Sequence, residues 1–210
     1  MPSGKTIGRL SLYRSILNRL QRDGVSSIYS HELAARAGGT PSQVRRDLMV
    51  TGYTGSPARG YDVRELVASI GSFLDAQQGE GVALVGVGNL GRALMAFFAG
   101  RRPHLGIVAA FDSDPYKVSR VIHGVRCHPI ESLEEVVKEQ AIGVAIITVP
   151  AGEAQEVADR MVHAGVRGLL NFAPVRLNVP SDVFVEDVDV TMSLEKVSYF
   201  SRHRERSEGA

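Results

Sequence analysis

Apolar positions recur at helical spacing through the N-terminal part of the chain, then give way to short apolar runs that alternate with helical stretches. Between Arg9 and Asp23, Leu10, Tyr13, Ile16, Leu17 and Leu20 share one helix face, with Arg9, Arg14, Arg19 and Arg22 mostly off it and Gly24 at its end. Ser30 is placed to cap a short helix over His31 to Ala37, closed by Gly38 and Gly39. Thr40-Pro41-Ser42-Gln43 then combines a capping-box pattern with proline at the first helical position, and opens a helix running to Met49. Tyr53 to Tyr61 is a glycine-flanked loop between short extended pieces. Asp62 with Glu65 caps another helix, in which Val63, Leu66, Val67, Ile70, Phe73 and Leu74 keep helical spacing. Gln77 to Gly81 is polar, which predicts a domain boundary there, with one domain over 1–78 and a second from 79 to 192.

The second part opens on Val82-Ala83-Leu84-Val85, a run suited to a buried parallel strand. Gly86-Val87-Gly88-Asn89-Leu90-Gly91 follows at once, and Leu90, Ala93, Leu94, Phe97 and Phe98 then mark a helix that Gly100 can end. A second apolar run, Ile107 to Phe111, finishes at Asp112, 21 residues after Gly91. Beyond it the pattern predicts a strand near Val125 to His128 and a helix capped by Ser132 with Glu135. A strand over Ala145 to Val149 and a helix over Glu153 to Ala164 follow, then strands over Gly168 to Phe172 and Val183 to Val190. Strands alternating with helices make this an α/β fold with a parallel sheet of Rossmann type. Ser193 is placed to cap a terminal helix, Leu194 to about Arg204, with Leu194, Val197, Tyr199 and Phe200 on it and Arg202, His203, Arg204 and Arg206 towards its end. The preceding strand already completes the sheet, so this 193–210 segment packs either on its own domain or in a groove of another subunit.

Composition narrows the classes. Of 210 residues, 44% are hydrophobic, which supports real cores, but no apolar run approaches a membrane span and the polar N-terminus has no signal-peptide core. A cytoplasmic protein without a membrane partner is expected. The single cysteine, Cys127, excludes an intrachain disulfide framework. The net charge of +1 hides an asymmetry: residues 1–78 carry 10 Lys+Arg against 6 Asp+Glu, and residues 79–210 carry 14 against 17. A basic piece on a slightly acidic body suggests a nucleic-acid module joined to a regulatory one.

Two constellations carry chemistry. Strand, glycine turn, helix, strand and terminal acid is the context that the dinucleotide fingerprint requires. Gly86 permits the tight turn, Gly88 lets the backbone approach a pyrophosphate, and Gly91 lets helix and strand pack closely. The phosphates would meet free N–H groups at the helix N-terminus. Asp112 can accept from the adenosine ribose hydroxyls and repel a 2′-phosphate, which favours NAD over NADP. The other constellation is the pair of short helices joined by a glycine turn. On the second helix Pro41, Val44 and Leu48 share one face, Ser42, Gln43 and Arg46 point away, and Arg45 flanks them. Such side chains can bond base edges and phosphates in a major groove, and Arg59 on the following loop suits a wing. His123, Cys127 and His128 lack a fourth ligand for a zinc reading. A Tyr-x-x-x-Lys proton-transfer pair is absent, Tyr116 with Arg120 coming nearest. An oxidoreductase with an accessory domain and a CoA- or nucleotide-binding Rossmann module stay open as alternatives to a nucleotide-responsive DNA binder.

The chain resembles the Rex family of redox-sensing transcriptional repressors. The resemblance rests on PSQVRRDL, Arg59-Gly60-Tyr61, GVGNLGRAL, FDSDP, LLNFAPVRLNVP and VEDVDVTMSLEKVSYF, which cover nearly the whole chain in order. It implies a non-enzymatic homodimer with N-terminal winged-helix domains, Rossmann domains, and a C-terminal helix exchanged between subunits. It also implies binding to palindromic operator DNA when free or with NAD⁺, and release with NADH. Matched motif by motif, Ser42, Gln43, Arg45, Arg46 and Arg59 would meet DNA. Gly86, Val87, Gly88, Asn89, Leu90 and Gly91 would hold the pyrophosphate and Asp112 the ribose, with Thr148, Val149 and Phe172 lining the crevice. An ion pair coupling the domains maps onto Arg9 and Asp189. Phe97 stands where relatives can carry a tyrosine near the nicotinamide.

Overall fold

Ser3 opens the first helix of the computed structural model, which describes residues 2–56, 58–75, 80–100 and 105–204. The Ser3 side chain accepts from the Thr6 N–H, so α1 runs Gly4–Arg22, five residues earlier than periodicity alone indicates. Its apolar face, Leu10, Tyr13, Leu17 and Leu20, is buried. After β1 (Ser27–Ile28) come α2 (Ser30–Ala37) and α3 (Pro41–Met49), then β2 (Tyr61–Asp62) and α4 (Val63–Leu74). Ser30 is the first residue of α2, not its cap: Tyr29 holds the cap position and its N–H donates to Glu32 at 2.7 Å. Thr40 caps α3 and Asp62 caps α4, each oxygen accepting from the N–H three residues on. Strand β1 pairs antiparallel with β2, and Ser56 bridges Gly60, so α2 and α3 with this ribbon and loop make a winged helix-turn-helix. Leu33, Val44, Leu48, Leu66 and Ile70 close the core against α1.

One buried carboxylate organises this unit, Met1–Gln77. Asp47 on α3, 2% exposed, takes two hydrogen bonds from the Arg9 guanidinium at 2.6 and 2.8 Å, one from the Tyr13 hydroxyl at 3.0 Å and one from Gln43 at 3.1 Å. Burial opposes its charge, but the hydrogen bonds from Arg9, Tyr13 and Gln43 outweigh burial and hold the carboxyl below its usual range. Arg9 thereby joins α1 to α3. Asp189, which the resemblance maps as its partner, lies in the other unit and accepts from the Met192 N–H.

The second unit, Gln78–Ala210, is built on a sheet with seven strands among the described residues. These are β3 (Glu80–Val85), β4 (Leu105–Asp112), β5 (Val121–Ile122), β6 (Val125–Pro129), β7 (Val144–Ile147), β8 (Gly168–Asn171) and β9 (Phe184–Asp187). The spatial order is β5-β6-β4-β3-β7-β8-β9, parallel except for the β5–β6 hairpin. Helix α5 (Asn89–Phe98) follows β3, α6 (Leu133–Glu139) follows β6, and α7 (Ala151–Ala164) follows β7. Alternation along β3 explains the layering. Ala83 and Val85 face a core with Leu133 of α6 and Met161 of α7, while Val82 and Leu84 face a second core with Met95 of α5. Ser132 holds the N-cap position of α6, as expected, but its side chain makes no cap hydrogen bond. Ser132 also ends a 3₁₀ turn, Ile130–Ser132, and its hydroxyl donates to the Pro129 carbonyl.

Strand β9 is shorter than its apolar run suggests, because Asp189 starts a helix, α8 (Val190–Arg204), four residues ahead of Ser193. Val190, Met192, Leu194, Val197, Tyr199 and Phe200 on α8 are all exposed, between 47% and 67%. The expected linker at 77–79 and the basic side chains of His203, Arg204 and Arg206 lie outside the described residues. No helix among the described residues is long and apolar enough to cross a membrane.

Between α6 and α7, the Arg160 guanidinium grips Glu134 at 2.6 and 2.8 Å and draws its carboxyl down to about 2. An unfolded glutamate titrates near about 4.3. The folded value is the lower one, so this pair's contribution is complete above about 4.3 and is lost as pH falls towards about 2. Acid denaturation followed by circular dichroism should show a loss in that window that Glu134→Gln lacks.

Candidate functional site

The first strand of the sheet, β3, has β4 on one side and β7 on the other, so chain connections leave it in opposite directions. Ligands of open α/β sheets sit outside the carboxyl ends of the strands at such a point. A crevice of about 550 Å³ lies there. Its walls include Val85, Gly86 and Gly88 from the glycine turn, Asp112, Asp114 and Lys117 after β4, and Thr148, Val149 and Glu153 after β7.

The glycines divide by what surrounds them. Gly86 has φ +96°, and a Cβ there would stand 2.8 Å from the Thr148 carbonyl oxygen. A Cβ on Gly91 would fall onto the Gly86 carbonyl oxygen. Neither position admits a side chain without moving backbone. Gly88 differs: its φ is −80°, ordinary for any residue, and nothing lies within 4 Å of a Cβ built there. Its missing side chain leaves space open on the crevice, as a close backbone approach by a ligand requires. No side chain caps α5, whose N-terminal N–H groups begin here. The residues present thus fit a dinucleotide: a cradle clear of side chains, uncapped donors for a pyrophosphate, and carboxylates for ribose hydroxyls.

Asp112 does more than end a strand. Its side chain is 8% exposed, and it accepts from the Val87 N–H at 2.7 Å and the Asp114 N–H at 2.9 Å. The Lys117 ammonium lies 3.1 and 3.3 Å from its two oxygens. The carboxylate therefore ties the glycine turn to β4, with a cation beside it. Lys117 is a crevice residue that sequence reasoning missed; its signal was the Asp-x-Asp-x-x-Lys spacing from Asp112. The Thr148 hydroxyl stands 2.9 Å from the Val85 carbonyl and 2.7 Å from that of Gly86, so β7 is pinned to the same turn.

Of the other candidates, Val149 is on the wall. Val87 is fully buried beneath the turn, and Asn89 and Leu90 are exposed on the first turn of α5. Phe172 is half-buried and packs against the core on the α5 side. Phe97 is 53% exposed, its ring edge-on to Phe98. His123 sits in the β5–β6 turn, Cys127 is buried, and the His128 ring lies 5.7 Å from Phe111, so the three do not converge.

On the first unit, Ser42, Arg45 and Arg46 are exposed on α3 and Arg59 is exposed on the wing. Arg45 donates to the Ser30 hydroxyl at 3.1 Å, and the Tyr29 hydroxyl donates to the Ala58 carbonyl at 2.8 Å. Helix and wing thereby meet around Tyr29, beside a groove of about 590 Å³ that includes Arg59, Ser56 and Tyr53. Gln43 departs from expectation. Its amide is half-buried and turned to Asp47, because a buried carboxylate four residues on offers a stronger acceptor than solvent.

Comparison with known proteins decides the family. The redox-sensing transcriptional repressor Rex of Carboxydothermus hydrogenoformans is 43% identical over 92% of this chain and 93% of its own length. That of Desulfitobacterium hafniense is 41% identical over 92% of each. The chain belongs to the Rex family. A family model described as a putative DNA-binding protein N-terminus matches residues 3–48, and one described as a CoA binding domain matches residues 77–175. Among solved Rex structures, the repressor RSP is 32% identical. Its complex with NAD⁺ and operator DNA superposes with a TM-score of 0.89 over 99% of this chain and 96% of its own. Its complex with NADH gives 0.87 over 99% and 98%.

The two kinds of glycine predict opposite outcomes. Gly91→Ala should cost about 1–3 kcal/mol of stability, as overpacking against rigid backbone does. Gly88→Ala should stay within about 0.5 kcal/mol of the parent. Chemical denaturation of both variants measures the difference.

Proposed function

We propose that this protein is a transcriptional repressor that senses the NADH/NAD⁺ balance, binding operator DNA when free or with NAD⁺ and releasing it on binding NADH. The observation that carries the reading is one chain holding both an uncapped, side-chain-free dinucleotide cradle and a winged helix-turn-helix with exposed arginines. Its likeness to RSP, solved with NAD⁺ and operator DNA and again with NADH, supports the assignment across 99% of the chain. The same complexes favour a nicotinamide nucleotide over the CoA of the matched domain's description. The protein acts as a regulator and not as an enzyme.

Within this reading, Gly86 to Gly91 hold the pyrophosphate on the α5 N-terminus, Asp112 faces the adenosine ribose, and Thr148 and Val149 lie towards the nicotinamide. Ser42 and Arg46 read the major groove, Arg45 meets phosphate, and Arg59 enters the minor groove. The working form is a homodimer on a palindromic site. Six large apolar residues exposed along α8 support a helix that seats on a second copy of the chain. A stable dimer of this kind should bury more than about 1,000 Å².

NAD⁺ and NADH share every group but the nicotinamide, which differs by a hydride and a charge. A ligand shifts a conformational equilibrium only through its differential affinity for the two states. Contacts near Thr148 and Val149, and those a partner's α8 supplies, must therefore discriminate.

Arg46→Ala should weaken specific operator binding by about 1–3 kcal/mol. Arg59→Ala should weaken it most where A·T-rich flanks narrow the minor groove. Gel shift measures both, and unchanged affinity in both variants would remove the winged-helix role.

Linkage tests the sensor directly. Operator DNA should weaken NADH binding by the factor by which NADH weakens DNA binding, a coupling of about 1–3 kcal/mol. Calorimetric titration with NADH, with and without operator, measures it. Equal affinities would end the proposal, and steady NADH consumption with a substrate would point to an enzyme.

A further inference from the structure

The crevice read above as a dinucleotide site contains a cation that reading does not use. The preference for NAD(H) over NADP(H) treats Asp112 as a lone carboxylate facing the ribose 2′ position. In the structure the Lys117 ammonium stands 3.1 and 3.3 Å from the Asp112 oxygens and 3.6 Å from Asp114. All three side chains line the crevice. Lys117 is 26% exposed, so water screens the cluster only partly. With Lys117 in place the cluster carries one net negative charge; without it, two.

We propose that Lys117 is the residue that sets how strongly this crevice rejects a 2′-phosphate, and so tunes its selectivity between NAD(H) and NADP(H). The two ligands differ in this region by a phosphate of nearly two negative charges. Ribose hydroxyls are neutral and sense the cluster mainly through hydrogen bonds. A 2′-phosphate senses its net charge, at separations where a partly desolvated site screens poorly. The ammonium beside Asp112 and Asp114 weakens the repulsion without removing it. The proposal rests on the nucleotide reading and adds the residue that grades its selectivity.

The test is fluorescence titration of the full-length protein with NADH, and displacement of NADH by NADPH. Lys117→Met should weaken NADPH by about tenfold while NADH changes by less than about threefold, the asymmetry of a charge effect. Asp114→Asn should move the ratio the other way and tighten NADPH. Lys117→Arg, which keeps the charge, should hold the parent ratio. Equal loss of both nucleotides in Lys117→Met would mean that Lys117 merely supports the loop, and would overturn the proposal. An unchanged ratio in Asp114→Asn would overturn it as well. A parent protein that binds neither nucleotide would instead refute the reading of the crevice itself, an outcome distinct from both.

Discussion

The turn between β3 and α5 has a carbonyl oxygen, that of Gly86, on which three elements meet. A side chain at Gly91 would collide with it, and the Thr148 hydroxyl reaches it from the end of β7. Asp112 holds the neighbouring Val87 N–H from the end of β4. The turn is thereby fixed against both adjacent strands, and α5 leaves it in one direction only. Because that direction presents the uncapped helix N-terminus to the crevice, the same packing that closes the core also prepares donors for an anion. Site and fold share one constraint here, and a change that relaxed the turn would disturb both.

Asp47 plays the corresponding part in the N-terminal unit by different means. A charge that is 2% exposed is tolerable only when every lone pair is answered, and Arg9, Tyr13 and Gln43 answer it. The cost of breaking such a pair is larger than the net gain of having it. The network therefore sets where α3 sits on α1 more than how stable the unit is. That placement leaves Ser42, Arg45 and Arg46 on the outer side and draws Gln43 inward. The burial that positions α3 thus also limits which of its polar side chains stay exposed.

Family membership joins the two units in one regulator, and the physical requirement on it is differential affinity. A cradle made of glycine backbone and strand ends presents groups suited to what NAD⁺ and NADH have in common. It cannot distinguish them. The apolar residues exposed on α8 are the surface on which the proposed dimer rests.

Much of this was legible from residue order because it is local. The G-x-G-x-x-G turn, the caps at Thr40 and Asp62, the apolar faces of α1 and α4 and the alternation of strands and helices each depend on neighbours a few positions away. Where expectation slipped locally, a nearer cap had won: Ser3 for α1, Tyr29 for α2, Asp189 for α8. What residue order could not supply were partnerships across the fold. Arg9 takes Asp47, 38 residues on, and Asp189 caps a helix. Ser27–Ile28 is too short to announce itself as a strand and exists because β2 pairs with it. Asp112 read as a free acceptor, yet its oxygens are engaged by Val87, Asp114 and Lys117. Periodicity specifies which face is buried. Only the assembled fold decides which polar groups that burial brings within hydrogen-bonding distance.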